Sequence, residues 1–128
     1  MNKIRFILIA ISVLFAKFNA NGQKIESKVL LAFETKDYVI RIDSLIFDDT
    51  GNTYRYSSWK KNKSMQSLPD IEIMGNEYDY QKNCYIFVIG DVVEGEYDYM
   101  VYDNIKKGFN GIIVTRNGKV ILKQARIR

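Results

Sequence analysis

From residue 28 to the C-terminus, the chain is a succession of short runs rich in β-branched and aromatic residues, separated by turn-forming residues. Such runs are typical of β-strands. The strongest signal is the Asn-Gly dipeptide at 117–118, between "IIVTR" and "KVIL", because this dipeptide favours the two-residue turn of a hairpin. It predicts that Arg116 pairs with Lys119 and that Ile113 pairs with Leu122.

The same signals predict seven or eight short strands, over residues 28–34, 38–47, 53–59, 71–74, 84–89, 95–103, 112–116 and 119–122. "DDTGN" at 48–52 predicts a turn, and "CYIFVI" is apolar on both faces, as a central strand is. We therefore expect an all-β fold, an antiparallel immunoglobulin-like β-sandwich, with a small β-barrel as the alternative. The two cysteines that flank a tryptophan in true immunoglobulin domains are absent, since Cys84 is alone and follows Trp59.

The N-terminus predicts export. Lys3 and Arg5 precede an apolar run of about eleven residues, half the length of a membrane-spanning helix, and small and polar residues follow. We expect residues 1–22 to be a signal peptide cleaved after Gly22, and residues 23–128 to form a single β-rich domain without a transmembrane anchor. The protein is then periplasmic or extracellular.

Charge is segregated along the expected mature chain. Removal of residues 1–22 takes away three cations and no acid, so the net charge of +4 falls to +1. An acidic block over 70–103 precedes a basic tail over 104–128 that contains no Asp or Glu. Neighbouring strands usually pair, so we expect the tail to find its partner within the protein and not to bind nucleic acid.

Little in the sequence predicts catalysis. The chain has no histidine, which excludes histidine-dependent nucleophiles and bases and the usual zinc sites. We expect Cys84 to be a buried small hydrophobe. Glu94, Glu96 and Asp98 are close in sequence and Glu96 shares a strand face with Asp98, yet an exposed strand has the same pattern. We therefore predict no catalytic residue, no metal site and no cofactor.

Aromatic residues give the main binding hypothesis. The chain has nine tyrosines and one tryptophan, and Tyr54, Tyr56 and Trp59 lie on one predicted hairpin arm that leads into a polar, disordered stretch at 60–67. We predict that these three side chains are the binding residues, exposed for contact with a partner. Truncation of Tyr56 or Trp59 should then leave stability nearly unchanged. The alternative is that Tyr54 and Tyr56 pack against neighbouring strands as ordinary cross-strand pairs.

The C-terminal third is similar to a known family in its Gly95-x-Tyr97 element, its Asn-Gly turn, Lys123 and the closing basic residues. It resembles the sorting domains at the C-termini of cargo proteins of the type IX secretion pathway in Bacteroidetes. In that family the Gly-x-Tyr strand and the last hairpin lie close together, whereas "DNIKKGFNG" separates them here. The resemblance implies a bacterial envelope protein and nothing more specific.

Two functional hypotheses follow. The first is a non-enzymatic binding module of the bacterial envelope with a protein or glycan partner, which includes inhibitor and immunity-type proteins. The second is a carbohydrate-binding module, or a minimal glycoside hydrolase that uses carboxylates. The exposure of the aromatic residues distinguishes them, because a groove of tyrosine and tryptophan favours sugar and a flat patch ringed by charge favours protein.

Overall fold

A computed structural model describes residues 25–47, 51–91, 93–103 and 108–128. The expected signal peptide and its cleavage site lie outside these residues, and so does most of the turn expected at 48–52. Gly51 and Asn52, which were expected in that turn, belong instead to the strand that follows it, where they pair with Phe47 and Ile46. No helix in the described ranges is long and apolar enough to span a membrane.

Nine strands form the described chain. They are β1 (Ile25–Glu34), β2 (Tyr38–Phe47), β3 (Gly51–Lys60), β4 (Ile71–Gly75), β5 (Glu77–Asp79), β6 (Cys84–Asp91), β7 (Gly95–Tyr102), β8 (Gly111–Arg116) and β9 (Lys119–Ala125). The strand that the sequence did not predict is the three-residue β5, which pairs with β6.

The strands form two antiparallel sheets, with the orders β1-β2-β3-β4 and β5-β6-β7-β8-β9. The prediction of an all-β antiparallel sandwich is confirmed, and the described sheets do not close into a barrel. Hydrogen-bonded neighbours are always consecutive in the sequence. The connectivity is thus a pair of meanders and differs from the Greek-key order of the immunoglobulin fold.

The β8–β9 hairpin has the predicted turn. Asn117 and Gly118 have φ values of 50° and 84°, as the type I′ turn requires, and Arg116 pairs with Lys119. The predicted pairing of Ile113 with Leu122 is wrong, because a β-bulge inserts one extra residue into β9 and Ile113 pairs with Lys123 instead.

The core lies between the inner faces of the two sheets. The first sheet contributes five buried side chains and the second contributes four: Phe33, Ile40, Ile42, Tyr56, Ile73, Phe87, Val101, Ile112 and Val114. Removal of each from water stabilises the fold by roughly 1.5 to 3 kcal/mol. Cys84 is also fully buried, as expected, and burial raises the pKa of its thiol.

The C-terminal tail binds the end of β1. The Ile127 amide donates to the Glu34 carbonyl at 2.8 Å, and the Arg128 guanidinium lies 3.4 Å from the Glu34 carboxylate. The basic tail therefore has partners within the protein, both at Glu34 and in the acidic block, where β8 pairs with β7 and the Asn117 amide donates to the Glu96 carbonyl at 2.8 Å. β7 and β8 are neighbours, but Tyr97 lies opposite Arg116 and Asp98 lies opposite Thr115, so opposite charges do not face each other.

Candidate ligand-binding cleft

Trp59 is part of the folded structure and not of an exposed arm. Its side chain is 1% exposed. The indole N–H donates to the Ser67 carbonyl at 2.9 Å, and the Arg41 guanidinium lies over the ring at 5.1 Å. The expected exposure of Trp59 is therefore wrong, and a direct contact between this ring and a partner loses its basis.

The polar stretch at 60–67, expected to be disordered, is an ordered loop that covers Trp59. The Lys63 amide donates to the Lys60 carbonyl at 2.9 Å, and the Asp70 carboxylate accepts from the Lys60 amide at 2.8 Å. The Asp70 carboxylate also forms an ion pair with the Lys63 ammonium. Partial burial opposes ionisation of Asp70, but these hydrogen bonds outweigh it and lower its pKa.

Tyr56 is also buried, with 3% of its surface exposed. Its ring centroid lies 5.3 Å from that of Tyr99 and 5.7 Å from that of Phe87, across the interface between the sheets. Tyr54 is half-buried and makes an edge contact with Tyr85 at 5.1 Å. The expected exposure is therefore wrong for Tyr56, and for Tyr54 it holds only in part.

Strand alternation explains why the three residues do not form one strip. Tyr54 and Tyr56 are two positions apart and share the inner face of β3, whereas Trp59 is three positions beyond Tyr56 and lies on the opposite face. The parity of "TYRYSSW" shows this separation. The burial of Trp59, by contrast, depends on the loop over it, which the sequence does not predict.

Between the sheets lies a partly open cleft with a volume of about 280 Å³. Strands β2, β3, β4, β7, β8 and β9 all contribute to it. Its lining consists of five aliphatic residues, three tyrosines and one serine: Ile71, Ile112, Val114, Ile121, Leu122, Tyr38, Tyr56, Tyr99 and Ser58. Of the three aromatic residues in the binding hypothesis, Tyr56 alone lines this cleft.

The cleft is apolar with a few hydrogen-bonding groups and no charged lining residue. Burial raises the pKa of the Tyr56 phenol well above its usual range, while a hydrogen bond with the Ser58 side chain acts in the opposite direction. Tyr56 therefore remains a neutral phenol near neutral pH. Such a site favours an uncharged apolar group and has hydroxyls that can orient it.

The bulge in β9 builds the open side of the cleft. Val114 pairs with Leu122 and Thr115 pairs with Val120, so Ile121 is the extra residue. Ile121 and Leu122 consequently both line the cleft, although adjacent strand residues normally point to opposite faces. Ile121 is 54% exposed, which places the opening at the edge of the second sheet.

Glu96 and Asp98 share the face of β7 opposite to Tyr97 and Tyr99, and the cleft lining includes neither of them. Among the described residues, no group of three or more histidine, cysteine, aspartate or glutamate side chains is placed to hold a metal ion.

Comparison with protein-family models, with curated proteins and with solved structures finds no match to this chain. The functional proposal therefore rests on the cleft and its surroundings.

Proposed function

We propose that this protein is a non-enzymatic binding module that acts, after export, in the periplasm or at the surface of a bacterial cell. Its partner is a protein of the envelope, and the cleft between the sheets receives an apolar side chain of that partner. Inhibitors and immunity-type proteins belong to this functional class. The observation that carries the proposal is the uncharged, tyrosine-lined cleft that opens at Ile121.

The size of the cleft favours a side chain over a larger free ligand. Pockets for drug-sized molecules usually have volumes of roughly 300 to 1,000 Å³, and this cleft lies just below that range at about 280 Å³. Protein interfaces commonly place one aromatic or aliphatic anchor in such a pocket, and the anchor contributes a large part of the binding energy. Tyr38 and Ser58 can then hydrogen-bond to the backbone beside the anchor.

The test uses tagged residues 23–128 to capture partners from envelope extract of the native host. Three forms are compared: the unmodified chain, Ile121→Arg and Val120→Arg. The two positions are adjacent on β9 and equally exposed, at 54% and 55%, but only Ile121 lines the cleft. A charge at Ile121 should block the cleft at little cost to folding, because surface substitutions usually shift stability by under about 0.5 kcal/mol.

A partner retained by the unmodified chain and by Val120→Arg, and lost with Ile121→Arg, supports the proposal. A partner that all three forms retain equally refutes the cleft as the binding site. Calorimetry with the purified partner should show at least a tenfold weaker affinity for Ile121→Arg, which corresponds to about 1.4 kcal/mol.

A second candidate function is carbohydrate binding, and one observation favours it. Tyr80 is 82% exposed, and its ring makes an edge contact with Tyr78 at 4.8 Å. Tyr78 in turn contacts Tyr85 at 4.7 Å, and Tyr85 contacts Tyr54 at 5.1 Å. A chain of packed rings thus holds one aromatic surface in solvent, where a sugar ring can stack on it.

Tyr80→Ala separates the two candidates. If the partner is a glycan, this substitution should abolish retention on a polysaccharide affinity gel and Ile121→Arg should have no effect. Loss of binding with Ile121→Arg alone supports the protein partner and refutes the carbohydrate reading.

A further inference from the structure

Strand β9 is a free edge of the second sheet. It pairs with β8 and with no other strand in the described parts of the chain. An edge strand presents unpaired backbone N–H and C=O groups along one side, and an extended segment of another protein can use them to add a further strand. The geometry of β9 therefore suits an extended peptide.

The free edge and the cleft share residues. Ile121 and Leu122 belong to β9 and also line the cleft. A segment that pairs with this edge lies alongside the opening, and its side chains alternate between the two faces of the sheet. An apolar side chain on the inner face of such a segment is thus directed toward the cleft.

The charged side chains of β9 itself and of the end of β8 are all positive, while the Asp37 carboxylate accepts a hydrogen bond from Gln124 at the far end of β9. Lys119 and Lys123 lie on β9 and Arg116 ends β8, and residues 108–128 contain no acid. Aromatic rings contact two of these cations, since Lys123 lies 5.0 Å from the Phe109 ring and Arg116 lies 5.6 Å from the Tyr97 ring. Such contacts leave the positive charge in place, so the edge attracts acidic groups.

We propose that the partner binds as an extended segment that adds to the free edge of β9, with one large apolar side chain in the cleft and acidic residues on either side of it. This inference rests on the proposed function and specifies the partner's form. A second copy of the chain is disfavoured as occupant, because pairing two β9 edges brings Lys119 and Lys123 of both copies together. Bulges and lysines are common protections of edge strands against self-association.

The experiment selects binders from a random peptide library displayed on phage, with residues 23–128 as the target. We expect enrichment of peptides with one phenylalanine, leucine or tryptophan flanked by aspartate or glutamate. A selected peptide is then synthesised in two forms, one unmodified and one with alternate backbone amides N-methylated. Binding of the unmodified peptide should slow hydrogen exchange of β9 amides, and the methylated form should bind at least tenfold more weakly.

Two variants separate the steps of the argument. The charge reversal Lys119→Glu with Lys123→Glu should weaken the acidic peptide at least tenfold, and a peptide with glutamine in place of its acids should be insensitive to it. Ile121→Arg should abolish binding of both peptides, and Val120→Arg, at a position that does not line the cleft, should weaken neither. Circular dichroism of each variant confirms that the fold is retained.

The failures of the two proposals are distinguishable. If Ile121→Arg abolishes binding while N-methylation and charge reversal do not affect it, the cleft is a binding site and strand addition is refuted. If Ile121→Arg has no effect, the cleft itself is refuted. Selection of basic peptides, or of no common pattern, also overturns the inference.

Discussion

Truncation of Trp59 should strongly destabilise the protein. The side chain is 1% exposed, and a buried tryptophan removes roughly 200 Å² from water, equivalent to about 5 kcal/mol at 25 cal/mol per Å². Trp59→Ala also removes the donor to the Ser67 carbonyl and the ring beneath Arg41. Because the covering loop can partly collapse into the space, we expect a loss of about 3 to 5 kcal/mol. That is a large share of the 5 to 15 kcal/mol typical of a domain.

Urea unfolding followed by far-ultraviolet circular dichroism measures this loss, since the only tryptophan is absent from the variant. With a slope of about 2 kcal/mol per molar urea, the midpoint should fall by roughly 2 M. Tyr80→Ala is the matched control, because Tyr80 is 82% exposed and should cost under about 0.5 kcal/mol. If Trp59→Ala lowered the free energy of unfolding by a similarly small amount, the argument from burial would be refuted and the hypothesis that Trp59 lies on an exposed arm would be supported.

Other predictions concern charge, pH and backbone geometry. Asp43 is 2% exposed and pairs with both Arg55 at 2.8 Å and Arg41 at 3.2 Å. Asp43→Asn should cost roughly 1.5 to 3 kcal/mol in urea unfolding, because it removes this charge and leaves Arg55 with the longer contact to Glu72 at 3.9 Å. The hydrogen bonds that lower the pKa of Asp70 stabilise the fold in full above the unfolded pKa of this carboxyl group. The difference in the free energy of unfolding between the protein and Asp70→Asn should therefore vanish as pH falls through the folded pKa. Burial raises the pKa of Tyr85 to about 12, so the stability that its neutral phenol gives the fold should be complete below pH 10 and lost as pH rises toward 12. Ultraviolet titration of the protein against Tyr85→Phe measures this pKa. A Cβ atom added at Gly111 would lie 2.1 Å from the Gln124 carbonyl oxygen, whereas a Cβ atom added at Gly118 would have no other atom within 4 Å. Gly111→Ala should therefore lower the melting temperature more than Gly118→Ala.

The strands were predictable because their signals are local. The Asn-Gly dipeptide fixes the β8–β9 turn, and the positive φ values of Asn117 and Gly118 are those that this turn demands. Alternation in β7 likewise predicts that Tyr97, Tyr99 and Val101 share one face, and they pack in or against the core. The short β5 was missed because three residues give no readable period.

The aromatic site was not predictable from local signals. Tyr56 and Trp59 are both buried, but by different structures: the opposite sheet covers Tyr56, and the loop at 60–67 covers Trp59. A polar loop that folds back over a ring has the same composition as one that extends into solvent. The hydrogen bonds and the ion pair among Lys60, Lys63 and Asp70 hold the loop over the ring, and the composition of the loop does not predict them.

The cleft owes its opening to a feature that has no sequence signature. In a regular hairpin, Ile113 would pair with Leu122, and Ile121 and Leu122 would point to opposite faces of the sheet. The bulge shifts the register by one residue and brings both side chains to the cleft. The same shift leaves Val120 and Ile121 about equally exposed, at 55% and 54%, with only one of them at the opening. Deletion of Ile121 should therefore restore the regular register and remove the side chain at the opening, while the other lining residues stay in place. We expect the deletion variant to lose binding of the selected peptide. If the deletion variant folds and still binds the selected peptide, the bulge has no part in binding.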